Sequence, residues 1–275
     1  MTRIARAFER ARMEHRAALI TYLMAGDPDL RRTYALALAC EAGGADILEL
    51  GIPSSDPIAD GPEIQEAGQR ALRGGTRPSD VLSLAASLRT RTEIPLVVMT
   101  YLNPVLAWGV KAFAERNADA GVDGVIIPDL STQISDELRD ALDGSGVDHV
   151  RLVAPATPAD RAEAIARASR GFLYVVARRG PTGTRSTLPE DLEERLAALH
   201  RVTNLPLGVG FGVSTRDQVH ALASWGADGI VVGSAIVRFA AENPDPDCVR
   251  DFVADFAVGL CRGAAAFRVA RGNNP

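Results

Sequence analysis

Lysine is nearly missing from this chain: Lys111 is the only one among 30 basic residues, and arginine carries the rest of the positive charge. Chemistry that needs a side-chain amine, such as a Schiff base, has one candidate to draw on. Cysteine is scarce too, with 3 residues, Cys40, Cys248 and Cys261, far apart and without a C-x-x-C. That argues against a disulfide scaffold or a thiolate metal site and fits a reducing compartment. The 4 histidines, His15, His149, His200 and His220, show no H-x-x-x-H spacing, so a protein-built metal site is not expected. Positive charge is not in excess either: the net charge is −5, which argues against a nucleic-acid or acidic-membrane surface. No apolar run approaches the roughly 18 residues of a membrane span. Residues 1–18 are rich in Arg and Glu and lack the apolar centre of a signal peptide, so the chain reads as soluble and cytoplasmic. A G-x-G-x-x-G after the first strand is also missing, for residues 24–28 read Met-Ala-Gly-Asp-Pro.

What is present is apolar and periodic. Hydrophobic residues make up 47% of 275, enough for a large core. Eight short apolar runs, 18–24, 45–52, 94–101, 122–128, 147–154, 171–177, 205–211 and 227–233, alternate with helix-length segments such as 29–42, 103–120, 158–169 and 215–225. Asp29 and Ser214 stand where N-caps belong. Near-continuous apolar strands separated by helices signal a parallel sheet covered on both faces. Eight such units fit an α/β fold of the (β/α)8 TIM-barrel type, one domain over 1–275, with an additional N-terminal helix. A faint repeat agrees: 41–49 (EAGGADILE), 119–127 (DAGVDGVII) and 224–232 (SWGADGIVV) each end a helix at Gly and enter a strand. The polar stretch 242–247 reads as the loop before a last helix, 249–268.

In such barrels the chemistry sits in the loops after the strands. Glu49 interrupts an apolar strand near its end. Alternation puts Ile47, Glu49 and Gly51 on one face and Leu48, Leu50 and Ile52 on the other. The aliphatic set belongs against the helices, which points Glu49 into the barrel, where desolvation raises a carboxyl pKa. Asp60, in the following loop, is expected to be more exposed and ionised, so the two carboxylates can divide acid and base roles. The segment 174–184 (YVVARRGPTGT) reads as a lid with backbone N–H groups for a phosphate. Residues 208–214 (GVGFGVS) and Gly233-Ser234-Ala235 follow runs seven and eight, where many TIM barrels hold a phosphate, and 234–240 reads as the short helix of such a site.

A phosphate-binding barrel with carboxylates at its mouth fits sugar-phosphate chemistry. Lys111 falls in a helix outside the barrel, which disfavours a Schiff base, and the scattered histidines disfavour a metal. What remains is proton transfer by carboxylates, with a leaving group that itself tolerates carbanion character.

These residues resemble the tryptophan synthase α-subunit family over about 3–268. The stretch 49–62 (ELGIPSSDPIADGP) looks like that family's long signature, with Glu49 and Asp60 in the positions of its catalytic carboxylates; 22–28, 99–104, Pro128-Asp129, Gly180-x-Thr182-Gly183, 210–214 and 233–235 match in order. The resemblance implies cleavage of indole-3-glycerol phosphate to indole and glyceraldehyde 3-phosphate, with no cofactor. Protonation at indole C3 makes an indolenine, whose C=N is the electron sink. By resemblance Glu49 protonates C3 and Asp60 holds the indole N–H, with Tyr174 beside Glu49. Tyr22, Met99, Tyr101, Ile126 and Phe211 surround the indole, Thr182 closes over Asp60, and Gly183, Gly212, Gly233 and Ser234 bind the phosphate. It also implies a pyridoxal-phosphate β subunit as partner in an α2β2 complex.

Four places depart from the family pattern. Ser54 stands where Phe is common, Ala177 replaces a usual Ser, Pro181 replaces a usual Val in the lid, and 129–134 lacks the usual Pro and acidic residues. Two alternatives stay open at this point: a stand-alone lyase that releases indole for a specialised product, and a non-catalytic homologue that only binds or activates a β subunit.

Overall fold

In the computed structural model, the described residues are 1–130, 135–177 and 188–261. Helix α1 (Arg3–Met13) leads into β1 (Ala18–Met24), α2 (Leu30–Ala42), β2 (Ile47–Gly51), α3 (Pro62–Arg73), α4 (Pro78–Arg89) and β3 (Leu96–Met99). There follow α5 (Leu102–Trp108), α6 (Val110–Asp119), β4 (Gly124–Ile126), α7 (Ser135–Ser145), β5 (Asp148–Val153), α8 (Ala159–Arg167) and β6 (Leu173–Val176). The chain continues through α9 (Leu192–His200), β7 (Leu207–Gly210), α10 (Arg216–Ser224), β8 (Gly229–Val232), α11 (Ser234–Glu242) and α12 (Pro246–Val258). All eight strands are parallel and β1 pairs with β8, closing the barrel. Among the described residues no helix is long and apolar enough to cross a membrane.

Strand alternation splits the core as the sequence reading expected. Ile20, Tyr22, Met24, Ile47, Val97, Met99, Ile126, Phe172 and Tyr174 pack inside the barrel. Leu19, Leu23, Leu48, Leu50 and Ile52 pack against the helices. Burying each such side chain contributes about 1.5–3 kcal/mol, so reversing the faces of one strand would be costly. Helix α1 closes the barrel at the N-terminal end of its strands, with Ile4 and Phe8 joining the inner core.

The three repeats share a bond that their sequences did not reveal. The aspartate before β2 accepts the N–H of Leu19 on β1 (2.9 Å), and the one before β4 accepts that of Leu96 on β3 (2.9 Å). Asp228 before β8 accepts the N–H of Leu207 on β7 (3.0 Å). Arg16 and Arg10 bind Asp46, and Arg89 binds Asp123 at 2.7 Å.

Three local expectations are corrected. The segment 103–120 is two helices, because Gly109 takes φ +81° between α5 and α6, a left-handed conformation open to glycine. Thr215, not Ser214, caps α10, its hydroxyl accepting the Gln218 N–H. The last helix runs Pro246–Val258 rather than 249–268: it starts earlier and stops at its cap Gly259.

Candidate active site

Glu49 lies on the inner face of β2, opposite Tyr22 on β1 and Val97 on β3. Only 1% of it is exposed, and its Oε2 has no hydrogen-bond partner among the described residues. Burial first, and the charge of Asp60 second, push its carboxyl up to about 8. It therefore holds its proton at neutral pH.

Asp60 corrects an expectation: it is buried, 8% exposed, rather than open to solvent. Its loop is folded back onto the segment after β3. The Tyr101 hydroxyl accepts the Ala59 N–H at 3.0 Å and donates to the Asp60 carboxylate. Burial raises the Asp60 carboxyl to about 6, while the Tyr101 bond pulls it back down. Of the two carboxyls, Asp60 is therefore the one that gives up its proton at the lower pH.

Two glycines make room for the tyrosines around this pair. A Cβ at Gly51 would lie 2.0 Å from the Tyr22 hydroxyl oxygen, and one at Gly210 would lie 2.3 Å from that of Tyr174. Both rings therefore lean from their own strand over the next one, toward the barrel mouth. Burial raises both phenols, with Asp60 the larger charge felt by Tyr22 and Glu49 the larger felt by Tyr174. Tyr174 also meets Phe211 edge to face at 5.7 Å. Phe211 holds φ +74°, a strained conformation for a bulky residue, between Gly210 and Gly212.

These groups share one cavity at the C-terminal end of the strands, lined by Tyr22, Glu49, Asp60, Met99, Tyr174 and Phe211, and by Gly212, Gly233 and Ser234 at its other end. There α11 begins, Gly233 being its cap and Ser234 its first residue. A helix N-terminus presents unpaired N–H groups and favours an anion. The far end of α11 is pinned by Arg32, which donates to the carbonyls of Ala240 (2.6 Å) and Asn243 (2.7 Å). Two more residues line the cavity, Ile64 and Val231, which sequence reasoning missed. Val231 carried a signal, the inward phase of β8; Ile64, in the first turn of α3, carried none that alternation could supply.

Two expected indole-wall residues are not among the side chains that line this cavity: Ile126 is wholly buried in the inner core, and Tyr101 is buried with its hydroxyl on the Ala59 N–H. Thr182 and Gly183 lie outside the described residues, as do Pro181 and the rest of 178–187. Lys111 is 87% exposed on α6, near Glu115, away from the barrel interior. A wider cleft under α1, at the opposite end of the barrel, is lined by Arg3, Arg10, Arg16, Asp46 and Glu93, which pair with one another.

Comparison with known proteins gives one result. The family model described as tryptophan synthase alpha chain matches residues 8–255. The tryptophan synthase alpha chain of Synechococcus sp. (strain CC9902) is 48% identical over 235 residues, 86% of this chain and 87% of that one. That of Solibacter usitatus is 43% identical over 266 residues, 97% of this chain and 99% of that one. Among solved structures, a chain of Mycobacterium tuberculosis tryptophan synthase superimposes with a TM-score of 0.88 at 39% identity, covering 95% of this chain and 99% of that one.

Proposed function

Because the chain belongs to the tryptophan synthase alpha chain family, we propose that Glu49 and Asp60 carry out the family's reaction here, the cleavage of indole-3-glycerol phosphate to indole and glyceraldehyde 3-phosphate. The observation that carries this reading is one cavity that joins the buried Glu49, its Oε2 without a hydrogen-bond partner among the described residues, and Asp60 to the N-terminus of a helix. The phosphate sits at Gly212, Gly233 and Ser234, joined by Gly183, and the indole lies toward Tyr22, Met99 and Phe211. Glu49 gives its proton to indole C3, and Asp60 accepts the indole N–H and stabilises the positive charge that grows on that nitrogen. The C–C bond then breaks, its electrons returning through the C=N to restore the indole ring. The carboxylate left on Glu49 takes the proton of the glycerol hydroxyl whose carbon becomes the aldehyde, so the proton count closes on Glu49. Tyr174 lies against Glu49 and keeps water from it.

The partner we assign is the β subunit of tryptophan synthase. Ile58 and Leu106, on the segments after β2 and β3, are 69% and 52% exposed, apolar side chains that such a partner would cover. The comparisons lend no support to a stand-alone or non-catalytic role. The cytoplasm is the setting that three unpaired cysteines fit.

The test is indole release from indole-3-glycerol phosphate by the purified chain, alone and with β subunit. Glu49→Gln is expected to lower the rate by roughly 10²–10⁴-fold. Unchanged release by this variant would remove Glu49 from the mechanism.

A further inference from the structure

Asp129 plays no part in the reaction as described. It follows β4 and does not line the cavity. Its Oδ1 accepts the N–H of Leu102 at 2.9 Å. Leu102 is the first residue of α5, and Tyr101 before it is extended, with φ −83° and ψ 169°. From there the Tyr101 hydroxyl accepts the Ala59 N–H and donates to Asp60. The backbone of Asp60 has its own ties: its N–H bonds Pro57 O at 3.1 Å, and its carbonyl accepts Gln65 Nε2 at 2.8 Å. Its carboxylate is held by Tyr101. A carboxylate after β4 thus fixes the backbone after β3, and that backbone aims a phenol at the loop after β2.

We propose that Asp129 is a positioning residue for Asp60, acting through the Leu102 N–H and the Tyr101 hydroxyl to hold the Asp60 carboxylate against the reacting ring. This rests on the role given to Asp60 above. Geometry of this kind matters because a displacement of about 1 Å at a reacting group costs on the order of 10²-fold in rate. The groups that face Asp60 are Glu49 from β2, Tyr22 from β1, Tyr174 from β6 and Tyr101 itself. A loosened Tyr101 removes the one contact among them that favours the ionised form, so the acid limb of the rate profile moves to higher pH.

The experiment measures kcat, KM and the pH profile of indole release by the full-length chain and its variants, with melting curves to show that each folds. Asp60→Asn is expected to lose activity; if it cleaves like the wild type, the reading of Asp60 fails, whatever Asp129 does. With that control in place, Asp129→Ala is expected to lower kcat/KM about tenfold, mainly through kcat, and to raise the acid limb. Asp129→Asn keeps an oxygen for the Leu102 N–H and is expected to retain activity within about threefold. Leu102→Pro removes the donor instead, at a first helical position that accepts proline, and is expected to reproduce the Asp129→Ala loss, while Leu102→Ala does not. Leu102→Pro decides the matter if Asp129→Ala fails to fold. In a Tyr101→Phe background Asp129→Ala is expected to add less than about twofold, since its effect passes through the missing hydroxyl. The proposal is overturned if Asp129→Ala and Leu102→Pro keep the wild-type profile, or if Asp129→Ala costs as much without the Tyr101 hydroxyl as with it.

Discussion

Glu49 and Asp60 are both carboxylates with raised pKa, and they differ in depth of burial, in which of them feels the other's charge, and in one hydrogen bond. Asp60 has Tyr101 as a donor and settles at about 6, whereas Glu49 has burial and a neighbouring anion and settles at about 8. Cleavage that needs Asp60 ionised and Glu49 protonated should rise as pH passes about 6 and fall as it passes about 8, a bell in kcat/KM. The two limbs are coupled. The Asp60 anion helps Glu49 keep its proton, so Asp60→Asn should move the Glu49 titration to lower pH. That shift can be followed in the residual activity or in the 13C resonance of the Glu49 carboxyl, and a Glu49 titration that stays put or rises in Asp60→Asn would sink the coupling. At this scale the sequence was legible where local geometry decides. Alternation alone aimed Glu49 inward. The burial of Asp60 was not legible, because the phenol that covers it comes from another loop, 42 residues away at Ala59. For the same reason Tyr101 read as cavity wall.

The strands were the easiest elements to read, since a parallel strand covered on both faces is an unbroken apolar run and all eight runs became strands. Helix boundaries were harder. Residues 103–120 keep one continuous composition, and only the left-handed Gly109 divides them. The repeated Gly-x-Asp pattern was visible as a pattern but not as a device. In the fold it ties the start of one strand to the next, and at Asp46 the tie carries charge: 1% exposed, the residue binds the Leu19 N–H, Arg10 and Arg16. Without Asp46 the buried Leu19 N–H loses its acceptor, while Arg10 is half exposed and Arg16 keeps Glu14. Asp46→Ala is therefore expected to cost about 1–3 kcal/mol, read as a lower urea midpoint with the same slope. A midpoint within error of the wild type would show that the arginines, not the aspartate, hold α1 to the barrel. Because Asp46 lies at the opposite end of the barrel from Glu49, kcat of the folded variant should stay close to the wild-type value.

For the whole molecule, the two segments that carry and brace Asp60 each expose an apolar side chain. Ile58 stands two residues before Asp60, and Leu106 sits on α5, whose first residue is the one Asp129 holds. If the proposed partner seats on these side chains, it presses on the same loops that set the Asp60 carboxylate. Binding and cleavage are then linked by a shared free energy: a tenfold stimulation by the partner corresponds to about 1.4 kcal/mol of preference for the braced arrangement. The link runs in both directions, so substrate in the cavity should tighten the partner by the same factor. Leu106→Glu separates the two functions. Leu106 is half exposed and makes no contact with the carboxylates, so unaided indole release should remain within about twofold of wild type. A charge placed in the middle of an apolar contact is costly to desolvate, so the β subunit should bind weakly and its stimulation should disappear. Indole release with and without β subunit, together with size-exclusion chromatography of the mixture, measures both. Full stimulation of Leu106→Glu would place the partner on another face of the barrel and detach its action from the Asp60 brace.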